Sequence, residues 1–506
     1  MPSWSTLAIL FGIIGAATSS SATDTGPAYK DQPVLALARD ARDLAIDVPG
    51  VFSRAEAFGE VHVPPPLELQ SGMSASSRQK RISRSAVDIL VRRIGPLAGA
   101  EFVTSVLAAQ PPEGIGAIVI ESGSFRLGDV RRELEALGHD GYLEATPGGV
   151  IAHAPIFIWS GAELKILPGE TLKMDNAKGA FIVNAGALTL DRATLQAIGR
   201  GTSTFRAFLL TTFGGTTTID RSRLISLGFD ASAETAGIAF TRPQLANSDR
   251  PSIVQGSLFQ DVTGLSLIDV SGLNILGNRF LDSPATAIVL RATRDVRIAG
   301  NIIAGDLGSH GIKVLSSSSG VTIADNLIVG GAGNGIFVTG GSTFVAISNN
   351  IVALSALTGI AIDTAACVTV QQNAVISNGS RGVAMRMALH SSVRQNRLAG
   401  NGVAGLSVND QDHDMPLVVV RNAFTENRAG LAGSTVGSVV LSGNDFDRQI
   451  PRLATGEFAG SVGQLLAFGA ARRHGEFRIS GKTIDSQSAL SAFSAVDLAA
   501  CAGRKG

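Results

Sequence analysis

The sequence predicts an all-β solenoid, a single-stranded right-handed parallel β-helix with an N-terminal helical cap, and three observations carry that expectation. Asparagine recurs at equivalent places from residue 250 onward, at Asn278, Asn301, Asn326, Asn350, Asn373, Asn396, Asn422 and Asn444, with spacings of 23, 25, 24, 23, 23, 26 and 22. A second series runs in phase with it: Gly311-Ile312, Gly335-Ile336, Gly359-Ile360, Gly382-Val383, Gly405-Leu406 and Gly430-Leu431. The third is composition. With 59 Gly, 45% hydrophobic and only 5% aromatic residues, the chain is turn-rich and its interior has to be filled by Val, Ile, Leu and Ala. A period near 23 with short alternating segments and no helix between them fits one coil of three strands and three bends. Leucine-rich repeats have a similar period, but their dense leucine pattern is missing.

The elements follow in order. The apolar run Leu7 to Ala17 is too short to span a bilayer and is followed by small residues at Ser20 and Ala22, which predicts a signal peptide over 1–22 and a periplasmic or secreted protein. Residues 23–144 form an N-terminal linker and helical capping region. Within it, the stretch Ser74 to Ser85 reads as a solvated basic connector. Helical spacing covers Ala86 to Ile94 and Leu97 to Ala109, interrupted at Gly95-Pro96. A further helix fits Asp129 to Leu137, with Asp129 as N-cap and Gly138 just past its end. Capping the open first coil is the most economical role for these helices. The solenoid itself occupies 145–450. Residues 451–506, with helical character over Ser488 to Ala502, form a C-terminal cap.

Stacked coils lie about 4.8 Å apart, so each Asn falls above the next. Asn suits a bend through its tolerance of left-handed backbone and its ability to bond its counterpart in the neighbouring coil, which makes the series a structural ladder. The two cysteines cannot build a disulfide scaffold, and Cys367 and Cys501 both read as buried free thiols.

Charge narrows the function classes. Lys+Arg and Asp+Glu are equal at 42 each, which argues against broad attraction to nucleic acid or an anionic membrane. No run after the leader is long enough to be a membrane span. In the strand after each bend glycine, alternation sends Ile288 and Leu290 inward and Val289 and Arg291 outward. Later coils place Lys313, Phe337, Asp363, Arg386, Ser407 and Asn409 on the same outer face. Spaced cations on an elongated sheet suit an extended acidic polysaccharide, with Arg291, His310, Lys313, Arg386 and Asn409 as binding candidates. The same strip also reads as an ordinary wetted sheet face, and Trp159 is the only Trp or Tyr within the solenoid for a sugar ring to stack on. His310, at a bend, is either a backbone-bonded structural residue or part of that site. The acidic stretch Asn409 to Asp414 holds the other candidates: Asp410, Asp412 and Asp414 as oxygen ligands for Ca²⁺, and His413 as a base, against a plain solvated loop. Metal-ligand spacings and cofactor motifs are absent, so neither is expected.

The residues also resemble a known family, the periplasmic alginate (mannuronan) C5-epimerases. The similarity is carried by Gly179-Ala-Phe-Ile-Val-Asn184, Phe205 to Gly215, Ser222 to Gly228, the stretch 277–283 and His310-Gly311-Ile312, and it covers about 140 to 430. It implies an exported β-helix of the pectin-lyase type that handles a uronate polymer, in some members as part of an exopolysaccharide export complex. A second reading is an active polysaccharide C5-epimerase, lyase or hydrolase with a rearranged site near Arg291, His310 and Lys313 or near Asp410 to Asp414, with His310, Asp410 and His413 as the catalytic candidates; a third is a purely structural or adhesive surface protein. The family's Asp-Pro-His-Asp signature falls where this chain reads Ile288-Val-Leu-Arg-Ala292. Its base falls near Ala285 and its carboxylate-neutralising Arg at Ser309. Only the His-Gly pair, His310-Gly311, remains, so the resemblance implies binding without the family's own epimerase site.

Overall fold

Alternating apolar and polar residues give each coil three short strands, and the turns between them bring the strands of successive coils into parallel register, with antiparallel pairs only at the two ends among the described residues. The structure, a computed structural model, describes residues 32–68, 79–111, 116–201, 205–229, 232–241, 252–449, 451–463, 465–466, 476–480, 483–485 and 501. The expected leader at 1–22 lies outside these residues, as does the C-terminal helical stretch apart from Cys501.

One coil shows the plan. Strand Arg279–Leu281 lies on a rear face, Ile288–Arg291 on a front face and Arg297–Ala299 on a side face. The rear strands form one 14-stranded sheet, while the front and side strands together form a 28-stranded sheet. Along the front face Ile288, Ile312, Ile336, Ile360, Val383, Leu406 and Leu431 stack in consecutive register, all facing the interior. This column is the physical content of the Gly-aliphatic series. The right-handed parallel β-helix expected from the repeat is the fold observed.

The asparagines run up the turn between the side and rear faces. Each side-chain oxygen accepts both the backbone N–H and the amide N–H of the preceding Asn, over seven consecutive links from Asn278 to Asn444 at 2.9–3.0 Å. Toward the N-terminus the role passes to the hydroxyls of Ser257 and Ser222. The left-handed residue is not the Asn itself but the one before it: Gly277, Gly300, Asp325, Asn349, Gln372, Gln395, Arg421 and Gly443. A second buried ladder, Asn378 to Asn401 to Asn427 to Gln449, runs up the turn between the rear and front faces.

The helices do more than close an end. α1 (Gln32–Arg42) and α2 (Val48–Ala55) lie against the rear face, where Val34, Leu37, Val51 and Phe52 pack on Ile302, Leu327, Ile351 and Ala374. α3 (Val87–Ala108) covers the first front-face coils, burying Phe102 against Phe157, Phe181 and Phe208. Only α4 (Leu127–Ala136) seals the open coil, its Leu127, Val130 and Leu134 joining the axial core. It starts two residues earlier than the sequence suggests. Asp129 is therefore inside the first turn, where its carboxylate accepts from the N–H of Arg126. The break in α3 falls at Gly99, with φ 87°, rather than at Gly95-Pro96.

Two further expectations are corrected. Arg81–Ser85 is not part of a loop but an edge strand antiparallel to Ala117–Arg126, held by the Arg81–Glu121 ion pair at 2.7 Å. Cys367 and Cys501 are not free thiols; they form a disulfide, with Cα atoms 5.8 Å apart. The reason lies in the backbone. Cys367 takes a left-handed φ of 54° at the corner between front and side faces, and it is part-exposed rather than buried as alternation implied.

Candidate functional site: a groove on the front face

The outward positions of the front strands form two columns along the solenoid axis. One runs Ser266, Val289, Lys313, Phe337, Ala361, Ala384, Ser407; its neighbour pairs Ile268 with Arg291 and Leu315, and further along Asp363 with Arg386 and Asn409. Near the N-terminal end these columns floor a groove of about 690 Å³. Its walls are the turn residues Ala285, Thr286 and Ser309 on one side and Arg291 with Leu315 on the other. The kinked part of α3 at Gly99 to Glu101 and the 3₁₀ turn around Ala233–Thr235, carrying Glu234, line its N-terminal end. Gly99's positive φ is what turns the helix at the groove edge, since a left-handed residue cannot continue an α-helix.

Arg291 and Lys313 therefore share one groove from adjoining coils, and neither forms an ion pair among the described residues. Arg291 is exposed, while Lys313 is half-buried with its Nζ 5.7 Å from the centre of the Phe337 ring. His310 is not among the residues lining the groove; it sits at the adjoining turn, its ring centre 5.2 Å from that of Phe337, and its Nδ1 accepts the backbone N–H of Asn334 at 2.9 Å. Burial first, and then the charge of Lys313, lower its pKa below 6.5. The ring is neutral at pH 7 and carries its proton on Nε2.

A protonation experiment follows from this. The unfolded chain takes up its proton near 6.5 and the native ring only at lower pH, so the stability linked to His310 is complete above 6.5 and falls as the pH drops toward the folded value. NMR titration of the native ring is expected to give ionisation below 6.5 from the Nε2-protonated tautomer. His310→Gln is expected to flatten the acid side of the stability profile. Ionisation at or above 6.5 contradicts the placement.

The other candidates lie elsewhere. Arg386 is four coils from Arg291, roughly 19 Å along the axis at the usual strand separation. It is ion-paired, 2.7 Å from Asp363 and 3.7 Å from Asp410, and the adjacent Asp363 holds its guanidinium still more firmly protonated. Asn409 donates its amide to Ser407 at 3.0 Å. Asp410, Asp412, His413 and Asp414 are all exposed, and Asp412 accepts the N–H of Asp414 at 2.8 Å, closing a local turn. Among the described residues no cluster of three His, Cys, Asp or Glu side chains is placed to hold a metal. Trp159 packs by the aromatic cluster under α3, 6.5 Å from Phe213, away from the groove.

Glu101 and Glu234 are the groove residues that sequence reasoning misses. They sit in a helix and an inserted 3₁₀ turn outside the repeat, where no periodic signal points to them.

Comparisons with known proteins agree with the fold. The family described as right handed beta helix region matches residues 215–352 and 310–451. The mannuronan C5-epimerase AlgG of Azotobacter vinelandii is 30% identical over 229 residues, 42% of this chain and 43% of that protein. The mannuronan C5-epimerase of Pseudomonas fluorescens is 26% identical over 217 residues, 39% of this chain and 40% of that one. The matched stretch thus spans less than half the length of either relative. The crystal structure of a single-site mutant of the periplasmic alginate epimerase AlgG superposes with a TM-score of 0.63, at 19% identity, covering 78% of this chain and all of that one.

Proposed function

Starting from a right-handed parallel β-helix related in sequence to mannuronan C5-epimerases, we propose that this chain is an exported protein that binds an acidic exopolysaccharide in the front-face groove, without the relatives' own epimerase site. The observation that carries this is the pair Arg291 and Lys313: two cations on adjoining coils, in one groove, with no protein carboxylate paired to either among the described residues. A carboxylate on a sugar is the natural partner for both. Neutral His310 contributes no charge and stiffens the turn that carries Lys313.

Turnover by the inherited route lacks its parts. A general base typically contributes about 10² to 10⁴ in rate and a positioned charge stabiliser about 10² to 10³. On the family resemblance the base falls near Ala285 and the neutralising Arg at Ser309, and neither residue supplies that group. A second reading, turnover at a rearranged site, has one observation in its favour: Glu101 and Glu234 line the same groove as the two cations. Export is supported by the disulfide, a feature of oxidising compartments. No described helix is long and apolar enough to cross a membrane. Participation in an exopolysaccharide export complex is part of the same proposal.

The test is equilibrium binding to acidic and neutral polysaccharides, with NMR of C5 configuration and unsaturated chain ends in the same samples. Charge-assisted contacts are worth about 1.5–3 kcal/mol each, so Arg291→Ala with Lys313→Ala is expected to lose ~100-fold or more in affinity for the acidic chain. New C5 epimers or unsaturated ends would favour the second reading. An affinity unaffected by the double substitution removes the groove from the function.

A further inference from the structure

We propose that the ligand is a heteropolysaccharide in which isolated uronates are separated by uncharged sugars, rather than a continuous polyuronate; this rests on the reading that the groove takes an acidic sugar chain. The argument is the placement of charge along the front face. Within the groove Glu101 and Glu234 oppose Arg291 and Lys313, so the described lining is balanced rather than basic.

Beyond Lys313 the floor continues as Phe337, Ala361, Ala384 and Ser407, none of them charged. The neighbouring column reaches one more cation, Arg386, already held between Asp363 and Asp410, so that stretch offers one positive against two negative groups. In the other direction the corresponding strand positions Ala239, Leu210, Val183 and Phe157 are buried under α3 and closed to a ligand. Within these two columns, the cations without an ion pair among the described residues are therefore Arg291 and Lys313, on coils about 5 Å apart; Arg381, at the start of strand Arg381–Leu389, lies outside both columns.

A chain with a carboxylate on every sugar would satisfy at most two units there. Its next units would meet Glu101 and Glu234 at one end of the groove, and units further along would meet Asp363 and Asp410, where the one cation is already held. A chain with a single uronate flanked by uncharged units avoids both. Its C–H faces and any N-acyl groups match the apolar floor of Phe337, Ala361 and Ala384.

Calorimetric titration of the full chain with three probes of matched length decides the matter. These are hyaluronan oligosaccharide, which alternates glucuronate with N-acetylglucosamine, oligomannuronate, and neutral dextran oligosaccharide. The alternating chain is expected to bind about 10-fold or more tighter than oligomannuronate at about 0.15 M salt. Glu101→Gln with Glu234→Gln is expected to improve oligomannuronate ~3- to 10-fold while leaving the alternating chain within ~2-fold. Both glutamates are outside the packed core, so folding is not at stake. Oligomannuronate binding as tightly as the alternating chain, or a preference unmoved by the glutamine variants, overturns the inference while the groove reading stands, provided Arg291→Ala with Lys313→Ala still abolishes binding. Binding of neither acidic chain, or binding indifferent to the two cations, overturns the groove reading and this inference together.

Discussion

Asn350→Ala is expected to lower stability by about 3–5 kcal/mol, the largest effect of any single polar substitution in the solenoid. Asn350 is fully buried. Its side-chain oxygen accepts the backbone N–H and amide N–H of Asn326, and its own amide donates to the carbonyls of Ile323 and Ser348 and to the oxygen of Asn373. Alanine leaves the Asn326 N–H stranded, removes donors from two carbonyls and interrupts the ladder, at about 1–3 kcal/mol for each group left unsatisfied. Because each coil touches only its neighbours, the break lies between two half-stacks. Urea unfolding followed by circular dichroism should therefore show a lower midpoint and a broader transition. Thr322→Ala, on the outer side of the same coil region, should change stability by no more than about 0.5 kcal/mol. Equal effects of the two would mean that the ladder does not hold the coils.

Breaking the Cys367–Cys501 bond is the second large effect. It closes a loop with a sequence separation of 134, and disulfides of this kind typically contribute about 2–5 kcal/mol, mainly by restricting the unfolded chain. Reduction of the wild-type protein, Cys367→Ser and Cys501→Ser should all lower the melting temperature by the same amount, and the serine variants should no longer respond to reductant. Protease should then reach the C-terminal region first, since the bond is its covalent tie to the strand Ile360–Gln371. A thiol titration that finds two free cysteines, or melting indifferent to reductant, contradicts the bond. The sequence reading missed it because strand alternation gave no warning of the left-handed corner at Cys367, and the partner is distant in the chain.

The repeat made the solenoid legible. A fixed period places residues two dozen apart in contact, so the Asn ladder and the inward Ile288 to Leu431 column could be read from spacing alone. The elements outside the repeat were not legible to the same degree. Helices α1 and α2 were not read from the sequence at all, and their place along the rear face depends on the apolar outer surface of Ile302, Leu327 and Ile351. The edge strand Arg81–Ser85 hides in a basic stretch because its pairing supplies the order that its composition does not. At the site, alternation correctly sent Arg291 and Lys313 outward into one place. It did not reveal that Arg386 is neutralised by Asp363 and Asp410, nor that Glu101 and Glu234 come in from outside the repeat, since ion pairing across coils depends on side-chain reach rather than on period.

The most direct test is a crystal structure of the protein with a glucuronate-containing tetrasaccharide. The account predicts a sugar carboxylate within about 4 Å of the Arg291 guanidinium or the Lys313 ammonium, with the chain running along the column from Ser266 to Phe337. A ligand seated instead around Arg386 and Asp410, on the side or rear face, or in the groove with its carboxylate turned away from both cations, would contradict it.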